Sequence, residues 1–254
     1  MKKRLNFAGI VPARYASSRF PGKPLALLGK KPMIQIVYEQ ARKSLETVYV
    51  ATDDRRIYDA VVGFGGKVVM TAASHQSGTD RCAEAAGKIM STEGIAIDVV
   101  INIQGDEPFI RPEQIDQLKD CFNDGSVEIA TLIRKVKAGE DISNPNQPKV
   151  IIDSDGNAIY FSRAAIPYIR GFEMKEWTLK HAFYKHIGLY AYRSDTLSKI
   201  TLLPHGSLEI AESLEQNRWL ENGFRIRTAE TIWENIGIDT PHDLEKAKLI
   251  TDHM

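Results

Sequence analysis

Short apolar runs alternate with longer segments of helical periodicity through the first half of the chain. Runs of strand length occur at FAGIVPA, TVYVATD, KVVMTA and DVVINIQGD, and helices are predicted between or after them over residues 32–44, 54–63, 77–90 and 112–122. In the first helix Met33, Ile34, Val37, Tyr38 and Ala41 fall near one face. Uninterrupted apolar strands such as VVINI are typical of a parallel sheet covered on both sides. The pattern therefore predicts an α/β fold.

The pattern changes in the second half. The segments KVIID and NAIYFSR flank Ser154-Asp155-Gly156 and predict a β-hairpin. Further along, KHIGLYAYR and FRIRTAET predict strands, SLEIAESLEQNRWL predicts one helix, and TPHDLEKAKLI predicts a closing helix. With no internal repeat and no long linker, we expect a single domain over residues 1–254, built on a mixed, mainly parallel sheet with a hairpin excursion.

Composition excludes several classes of protein. Lys and Arg total 33 and Asp and Glu total 33, and this balance argues against a dedicated nucleic-acid binder, which normally carries a basic excess. The two cysteines, Cys82 and Cys121, form no C-x-x-C motif, so we expect neither a disulfide framework nor a structural zinc site, but a cytoplasmic protein. The apolar run after MKKR is short and ends at Pro12-Ala13-Arg14, and no run approaches the ~18 apolar residues of a membrane span. We therefore expect neither a signal peptide nor a membrane anchor.

The loop after the first strand is rich in cations. In PARYASSRFPGKPL, Arg14, Arg19 and Lys23 are interspersed with prolines and one glycine. It is not a Walker A loop, because Pro24 follows Lys23, and the dinucleotide fingerprint is missing because GFGGKV has Val68 in place of the third glycine. Since ligands of open α/β sheets bind at the carboxyl ends of strands, the loop predicts a phosphate site. A solvated basic loop is the alternative.

Carboxylates follow two other strands. Asp106 and Glu107 in QGDEP come directly after VVINI, at the same predicted edge of the sheet as the cationic loop. Oxygen ligands suit Mg²⁺, which proteins commonly share between one or two carboxylates and a substrate phosphate. The alternative at QGDEP is an acidic turn. Asp239 comes just after the apolar, strand-like residues IGI in IGIDTP. It is either a second metal carboxylate or simply the residue before a helix that starts at Thr240-Pro241.

Other polar positions are compatible with binding or with structure. Ser77 and Gly78 in SHQSGTDR open a helix, and a helix N-terminus also accepts phosphates. His186 is either a core histidine or a ligand. Glu209, Glu212 and Gln216 are expected to share one helix face, and they need partners such as Arg163 or a polyhydroxylated ligand.

Together these segments resemble one family. PARYASSRFPGKPL, VATDD, SHQSGTDR, NIQGDEP, NPN, YFSRAAIP, HIGLYAYR, LEQNR and GIDTPHDL, in this order from about residue 7 to residue 250, are similar to the 3-deoxy-manno-octulosonate (Kdo) cytidylyltransferases. The resemblance implies a Rossmann-like nucleotidyltransferase fold with helices on both faces of the sheet. It also implies a cytoplasmic homodimer that acts on CTP and Kdo, with no nucleic-acid or membrane partner, and makes CMP-Kdo and diphosphate for lipopolysaccharide.

The resemblance also implies roles for individual residues. Arg14, Arg19 and Lys23 would bind the triphosphate of CTP beside Ala13. Gln104 and the segment QSGTDR, especially Ser77, Gly78 and Arg81, would hold the cytidine. Asp106 and Asp239 would bind Mg²⁺. The implied catalytic residues are Arg14, Lys23, Asp106 and Asp239. The implied sugar-binding residues are Gln104, Arg163, His186, Tyr190, Glu215 and Gln216, with sugar binding and dimerisation centred on residues 150–220.

Three positions depart from the family's commoner pattern. Phe20 stands where Leu is usual, Tyr168 where Trp often occurs, and His242 where Glu is usual. None is an implied ligand, but they leave the sugar preference open. The nearest alternative is a cytidylyltransferase for another acidic sugar, such as sialic acid or 8-amino-Kdo. An alternative of a different class is a nucleotide-binding module without catalysis.

Overall fold

The computed structural model describes residues 4–16 and 19–251. Its strands are β1 (Phe7–Ala13), β2 (Leu27–Leu28), β3 (Lys31–Pro32), β4 (Thr47–Thr52), β5 (Val68–Met70), β6 (Val99–Asn102), β7 (Ile129–Lys135), β8 (Lys149–Ile152), β9 (Ala158–Ser162), β10 (Tyr184–Arg193) and β11 (Ile226–Glu230). Its α-helices are α1 (Met33–Arg42), α2 (Arg55–Gly63), α3 (Gly78–Glu93), α4 (Pro112–Cys121), α5 (Met174–Lys180), α6 (Ser194–Ile200), α7 (Ser207–Glu212), α8 (Glu215–Glu221) and α9 (Pro241–Thr251). A 3₁₀ turn covers Lys23–Leu25.

The chain divides into two compact units. Unit 1 comprises residues 1–116, 191–201 and 235–254, and unit 2 comprises residues 117–190 and 202–234. The expectation of a single domain over residues 1–254 stays a prediction.

Unit 1 is built on parallel strands in the order β6-β1-β4-β5. Ile10 of β1 lies beside Asn102 of β6 and Tyr49 of β4, and Val50 of β4 lies beside Val68 of β5. The central strands are almost wholly buried, as their continuous apolar runs predicted. Because these strands are parallel, the loops that follow β1 and β6 leave the same edge of the sheet.

The helices of unit 1 follow the predicted periodicity. The predicted apolar face of α1, from Met33 to Ala41, is buried. Asp54 caps α2 through its side chain, which accepts a hydrogen bond from the Arg56 N–H at 2.9 Å. The predicted cap of α9 is also present, since Thr240 Oγ1 accepts from the Asp243 N–H at 3.2 Å.

Unit 2 contains the predicted hairpin. Strands β8 and β9 pair antiparallel, and the turn between them closes with a 2.8 Å hydrogen bond from the Asp153 N–H to the Asn157 carbonyl. Strand β8 also pairs antiparallel with β10, and β7 pairs parallel with β11. The predicted mixed, mainly parallel sheet with a hairpin excursion is therefore confirmed.

The prediction of one helix over SLEIAESLEQNRWL is wrong, because this segment forms two short helices, α7 and α8. Ser213 between them adopts a left-handed conformation with φ 50°. Tertiary hydrogen bonds stabilise both pieces separately: Glu212 accepts from Ser162 Oγ at 2.6 Å, and Asn217 Nδ2 donates to the Phe161 carbonyl at 2.9 Å. Glu209 and Glu212 still lie three residues apart on α7, whereas Gln216 lies on α8, so the expectation that all three share one helix face is wrong.

Within the described residues, every helix is too short or too polar to cross a membrane.

Candidate functional site

The loop after β1 is shaped by Gly22. Gly22 has φ 72°, its N–H donates to the Tyr15 carbonyl at 2.9 Å, and a Cβ at this position would lie 3.0 Å from the Tyr15 ring. Glycine therefore fits both the left-handed backbone and the close approach of the ring. The tight turn leads into the 3₁₀ turn that begins at Lys23, while Arg14 and Arg19 are exposed in the loop.

The ammonium of Lys23 lies between two carboxylates. Lys23 Nζ is 2.6 Å from Asp106 Oδ2 and 3.1 Å from Asp239 Oδ1. Arg19 Nη2 reaches the same Asp239 oxygen at 3.0 Å. The side chain of Lys23 is 12% exposed, so its pair with Asp106 is better shielded from solvent than the pair of Arg19 with Asp239, in which both side chains are exposed. Asp106 is 83 positions from Lys23 in the sequence, and Asp239 is 220 positions from Arg19. The fold nevertheless brings both carboxylates to the cations of the loop at one edge of the sheet.

Two backbone segments hold these carboxylates. Asp106 lies in the turn after β6, where the Glu107 N–H donates to the Gln104 carbonyl at 3.2 Å. Gly105 is required in this turn, since a Cβ there would lie 2.9 Å from the Pro12 carbonyl oxygen. The Ile238 N–H donates to the Asp106 carbonyl at 2.9 Å, and this bond brings Asp239 to the same place.

The N-terminus of α3 forms another wall. Ser77 Oγ accepts from the Asp80 N–H at 3.0 Å, and the Ser77 N–H donates to Asp80 Oδ2 at 3.3 Å, which completes a capping box. A Cβ on Gly78 would lie 3.3 Å from Pro12 Cγ, so glycine lets the helix start close to β1. The first N–H groups of a helix and its dipole favour anions.

Arg81 is buried rather than free in the pocket. It is 4% exposed; its Nη1 donates to Thr71 Oγ1 at 2.6 Å and its Nη2 lies 3.0 Å from Asp53 Oδ2. These bonds join the chain after β5 to the chain after β4 beneath the start of α3. In the structure, the side chain of Arg81 binds protein groups, Thr71 and Asp53. The expectation that Arg81 binds the nucleotide stays a prediction.

One pocket of unit 1 collects all the residues implied for nucleotide and metal. Its lining comprises Pro12, Ala13, Arg14, Arg19, Lys23, Pro24, His75, Gln76, Ser77, Gly78, Arg81, Gln104, Gly105, Asp106 and Asp239. Gln76 belongs to the QSGTDR segment implied for the cytidine, whereas His75 and Gly105 were missed as site residues although they lie within SHQSGTDR and NIQGDEP. His75 Nε2 is hydrogen-bonded to Glu84 on α3. Charges of both signs in one cleft suit a ligand that carries phosphates and a metal ion.

The donor set fits a hard divalent cation. Asp106 and Asp239 both contact one ammonium, so a single cation can touch both carboxylates. Among residues 4–16 and 19–251, no group of three or more His, Cys, Asp or Glu side chains could hold a metal. Mg²⁺ typically uses one or two carboxylates and completes its shell with phosphate oxygens and water. The pair therefore fits Mg²⁺ that arrives with a phosphorylated ligand.

Glu107 lies beside this pair and is electrostatically unusual. Burial and the charge of Asp106 raise the pKa of Glu107 to about 8, against a smaller lowering by the hydrogen bond from Asn235. The sequence indicated only that Glu107 follows a strand end.

The sugar-binding residues implied in unit 2 have protein partners. Arg163 donates from Nε to the Glu212 carbonyl at 2.6 Å, from Nη1 to the Pro145 carbonyl at 2.9 Å, and from Nη2 to the Ser213 carbonyl at 3.2 Å. Glu215 Oε1 accepts from Arg218 Nη2 at 2.8 Å. Arg163 thus joins loop 144–146 to the break between α7 and α8.

His186, Tyr190 and Gln216 lie in less polar surroundings. His186 Nε2 is 3.1 Å from Thr131 Oγ1, its ring centre is 5.2 Å from that of Tyr190, and burial lowers the pKa of His186 to about 3. Gln216 is 5% exposed, and within the described part of the chain its Nε2 has no hydrogen-bond partner. A buried amide without a partner is costly, and a bound ligand is one way to satisfy it.

Comparison with known proteins identifies the family. A family model described as cytidylyltransferase matches residues 8–232. The 3-deoxy-manno-octulosonate cytidylyltransferase of Parabacteroides distasonis is 58% identical, with 96% of this chain and 97% of that protein covered. The protein of the same name from Bacteroides thetaiotaomicron is 56% identical over the same shares.

Solved structures agree. A CMP:2-keto-3-deoxy-manno-octonic acid synthetase complexed with CTP superimposes with a TM-score of 0.88 at 42% identity and covers 98% of this chain and 99% of that one. A cytidylyltransferase from Leptospira borgpetersenii, at 17% identity and TM-score 0.61 over 99% of this chain and 88% of that one, shares the fold alone. Near-complete coverage at high identity, joined to a pocket with the expected charges, shows that this chain belongs to the 3-deoxy-manno-octulosonate cytidylyltransferase family.

Proposed function

We propose that this chain transfers CMP from CTP to the anomeric hydroxyl of 3-deoxy-D-manno-octulosonate (Kdo), giving CMP-Kdo and diphosphate for lipopolysaccharide biosynthesis. The observation that carries the proposal is the cluster in which Lys23 contacts both Asp106 and Asp239 at the carboxyl edge of the parallel strands. Relatives that are 58% and 56% identical over nearly their whole length carry the name of this activity.

The reaction is an in-line displacement. The anomeric oxygen of Kdo forms a bond to the α-phosphorus, the bond from the α-phosphorus to the bridging oxygen breaks, and the hydroxyl proton passes to solvent. Arg14, Arg19 and Lys23 hold the β- and γ-phosphates and stabilise the negative charge of the departing diphosphate. The N–H groups at the start of α3, beside Ser77 and Gly78, hold the CMP part with Gln104. Such catalysis is mainly positioning and charge stabilisation.

We further propose that Asp106 and Asp239 bind Mg²⁺. When bound, Mg²⁺ would neutralise phosphate oxygens and favour ionisation of the attacking hydroxyl. Lys23 contacts both carboxylates and Arg19 contacts Asp239, so these cations would exchange partners and turn to the phosphates when nucleotide and metal enter. The cations of the protein would then neutralise the leaving group, while the carboxylates hold the metal.

For the sugar, we propose that Gln104, Arg163, His186, Tyr190, Glu215 and Gln216 form contacts with Kdo. The buried amide of Gln216, whose Nε2 has no partner among the described residues, supports a polar ligand in unit 2. Arg163 and Glu215 would act partly through the loops that they hold, because both already bind protein atoms. His186 would bind as the neutral imidazole, because burial lowers its pKa to about 3.

A substrate screen tests the proposal. Purified protein, CTP and Mg²⁺ would be incubated with Kdo, 8-amino-Kdo or sialic acid, and diphosphate release would be followed. Diphosphate that depends on Kdo supports the proposal, and release with sialic acid alone contradicts it. CTP binding without diphosphate from any sugar would instead support the non-catalytic alternative.

We also propose a cytoplasmic homodimer that uses the region 150–220. Large apolar side chains are exposed there, among them Tyr168 (73%), Leu202 (84%) and Ile210 (68%). A contiguous apolar patch formed by such side chains would favour an interface with another protein surface. Sedimentation equilibrium would distinguish a dimer from a monomer, and Ile210→Asp would weaken a dimer that uses this surface.

A further inference from the structure

Three polar side chains near the pocket form a chain of hydrogen bonds to which the proposed reaction assigns no task. Gln114 Nε2 donates to Asn235 Oδ1 at 2.8 Å, and Asn235 Nδ2 donates to Glu107 Oε2. Gln114 is fully buried, and its Oε1 accepts from the Arg111 N–H at 3.1 Å, so both ends of its amide are bonded and its orientation is defined. The series of hydrogen bonds therefore begins at a fixed side chain in the first turn of α4.

The bonded residues adjoin the two metal carboxylates. Glu107 follows Asp106 directly, and Asn235 lies four residues before Asp239. The backbone bond from Ile238 to Asp106, at 2.9 Å, links the same two segments at a second point. Two links between two short segments restrict both the separation and the relative rotation of the carboxylates.

We propose that Glu107 and Asn235, supported by Gln114, are positioning residues that hold Asp106 and Asp239 at the spacing a shared divalent cation requires. This inference rests on the proposed function of that pair. Mg²⁺ demands near-ideal octahedral geometry at about 2.0–2.1 Å from each ligand, so small displacements of a carboxylate weaken binding. Residues that orient metal ligands typically contribute about 10–100-fold in metal affinity or activity.

The test compares three variants. Asn235→Ala and Glu107→Ala remove the bond between the two segments, while Glu107→Gln keeps an oxygen that can accept from Asn235 Nδ2. Mn²⁺ binding would be measured by electron paramagnetic resonance with saturating CTP, and CTP binding would be measured separately without metal. We expect about 10–100-fold weaker Mn²⁺ binding in both alanine variants and less than about threefold in Glu107→Gln. CTP binding without metal should be unchanged.

Matched controls separate this role from general stability. Asn222→Ala removes an asparagine amide that donates to the Arg218 carbonyl at 2.8 Å in unit 2, and it should leave Mn²⁺ affinity unchanged even if the melting temperature falls. Unchanged Mn²⁺ affinity in Asn235→Ala and Glu107→Ala would overturn the proposal. So would an equal loss in Glu107→Gln and Glu107→Ala, because the loss would then not depend on an oxygen that accepts from Asn235 Nδ2.

One further variant distinguishes a wrong metal site from a wrong positioning role. Asp106→Asn should abolish tight Mn²⁺ binding if the site is correct. If Asp106→Asn binds Mn²⁺ normally, the proposed metal site itself is wrong. If it does not, while Asn235→Ala and Glu107→Ala bind normally, only the positioning role is wrong.

Discussion

The pocket of unit 1 and the implied sugar residues of unit 2 use their charged groups differently. In unit 1, Lys23, Arg19, Asp106 and Asp239 pair with one another at the edge of a cleft, where phosphates and a metal can replace those partners. In unit 2, Arg163 donates three hydrogen bonds to backbone carbonyls. The first arrangement can exchange its partners for a ligand, whereas the second is part of the fold.

The difference separates residues that should affect chemistry from residues that should affect stability. A charge in an exchangeable ion pair contributes little to the folded state when it is partly exposed. A guanidinium bonded to several backbone carbonyls contributes more, because its removal leaves those acceptors without partners. Substitutions in the two units can therefore test the comparison.

The largest expected effect is that of Asp106→Asn. It removes one of the two carboxylates proposed for Mg²⁺, and turnover should fall about 10³-fold or more, because such metal contacts contribute several kcal/mol. The melting temperature should change little. Steady-state diphosphate release and a thermal melt would measure both, with Asp155→Asn in the exposed hairpin turn as the control.

Asp239→Asn should act on the same centre. Groups that serve one metal show non-additive losses, so Asp106→Asn combined with Asp239→Asn should be little worse than the worse single variant. Fully additive losses would place the two residues at separate sites.

Lys23→Met should have the next largest effect. CTP binding should weaken by about tenfold or more, because one cation opposite the β- and γ-phosphates is lost, whereas CMP binding should change little. Without nucleotide, Mn²⁺ should bind Lys23→Met more tightly than the wild type, because Lys23 Nζ no longer competes at 2.6 Å from Asp106. Isothermal titration with CTP, CMP and Mn²⁺ would test all three expectations, and equal losses for CTP and CMP would contradict the assignment.

Arg163→Ala should mainly reduce stability. The loss of three hydrogen bonds from a charged donor should lower the free energy of unfolding by about 2 kcal/mol. Arg14→Ala, at an exposed loop position, should leave that free energy unchanged but slow turnover. Urea unfolding of the two variants would measure both free energies. An unaltered unfolding midpoint in Arg163→Ala would contradict the view that Arg163 contributes to stability more than the exchangeable charges of unit 1 do.

The smallest expected effect concerns pH. Burial lowers the pKa of His186 from its ordinary value of 6.5 to about 3 in the folded state, so between these two pH values the unfolded chain binds the proton more readily. Stability from the neutral imidazole is complete above about pH 6.5 and falls as pH drops toward 3, by at most about 1.4 kcal/mol per pH unit. His186→Asn should flatten the stability profile between pH 6.5 and 4.5, and an unchanged profile would contradict a neutral buried imidazole.

Much of the structure of unit 1 could be predicted from the sequence, because the patterns that indicate its strands, helices and site residues lie within short segments. Continuous apolar strands, one-sided helices and the residues after each strand were enough to predict a parallel arrangement with Arg14, Lys23 and Asp106 at one edge. The pairing of Lys23 with both carboxylates was not predictable, since Asp239 is 216 positions away and could equally have been a residue before a helix cap.

Unit 2 was harder because its bonds are long-range. The break at Ser213 carries no local signal in SLEIAESLEQNRWL, and hydrogen bonds from Ser162 to Glu212 and between Asn217 and Phe161 favour it over a continuous helix. The sugar-binding roles of Arg163 and Glu215 came from family resemblance alone, which names the residues but not the protein groups that they bind.

The ammonium of Lys23 between Asp106 and Asp239 has a consequence for the order in which the substrates enter. A divalent cation that arrives alone must displace Lys23 from both carboxylates and leave the ammonium without an anion. CTP brings phosphates that can receive Lys23, so nucleotide and cation should enter together as a complex rather than in sequence. Initial-rate kinetics should then follow the concentration of magnesium-bound CTP, and free Mg²⁺ in excess should neither activate nor inhibit the first step.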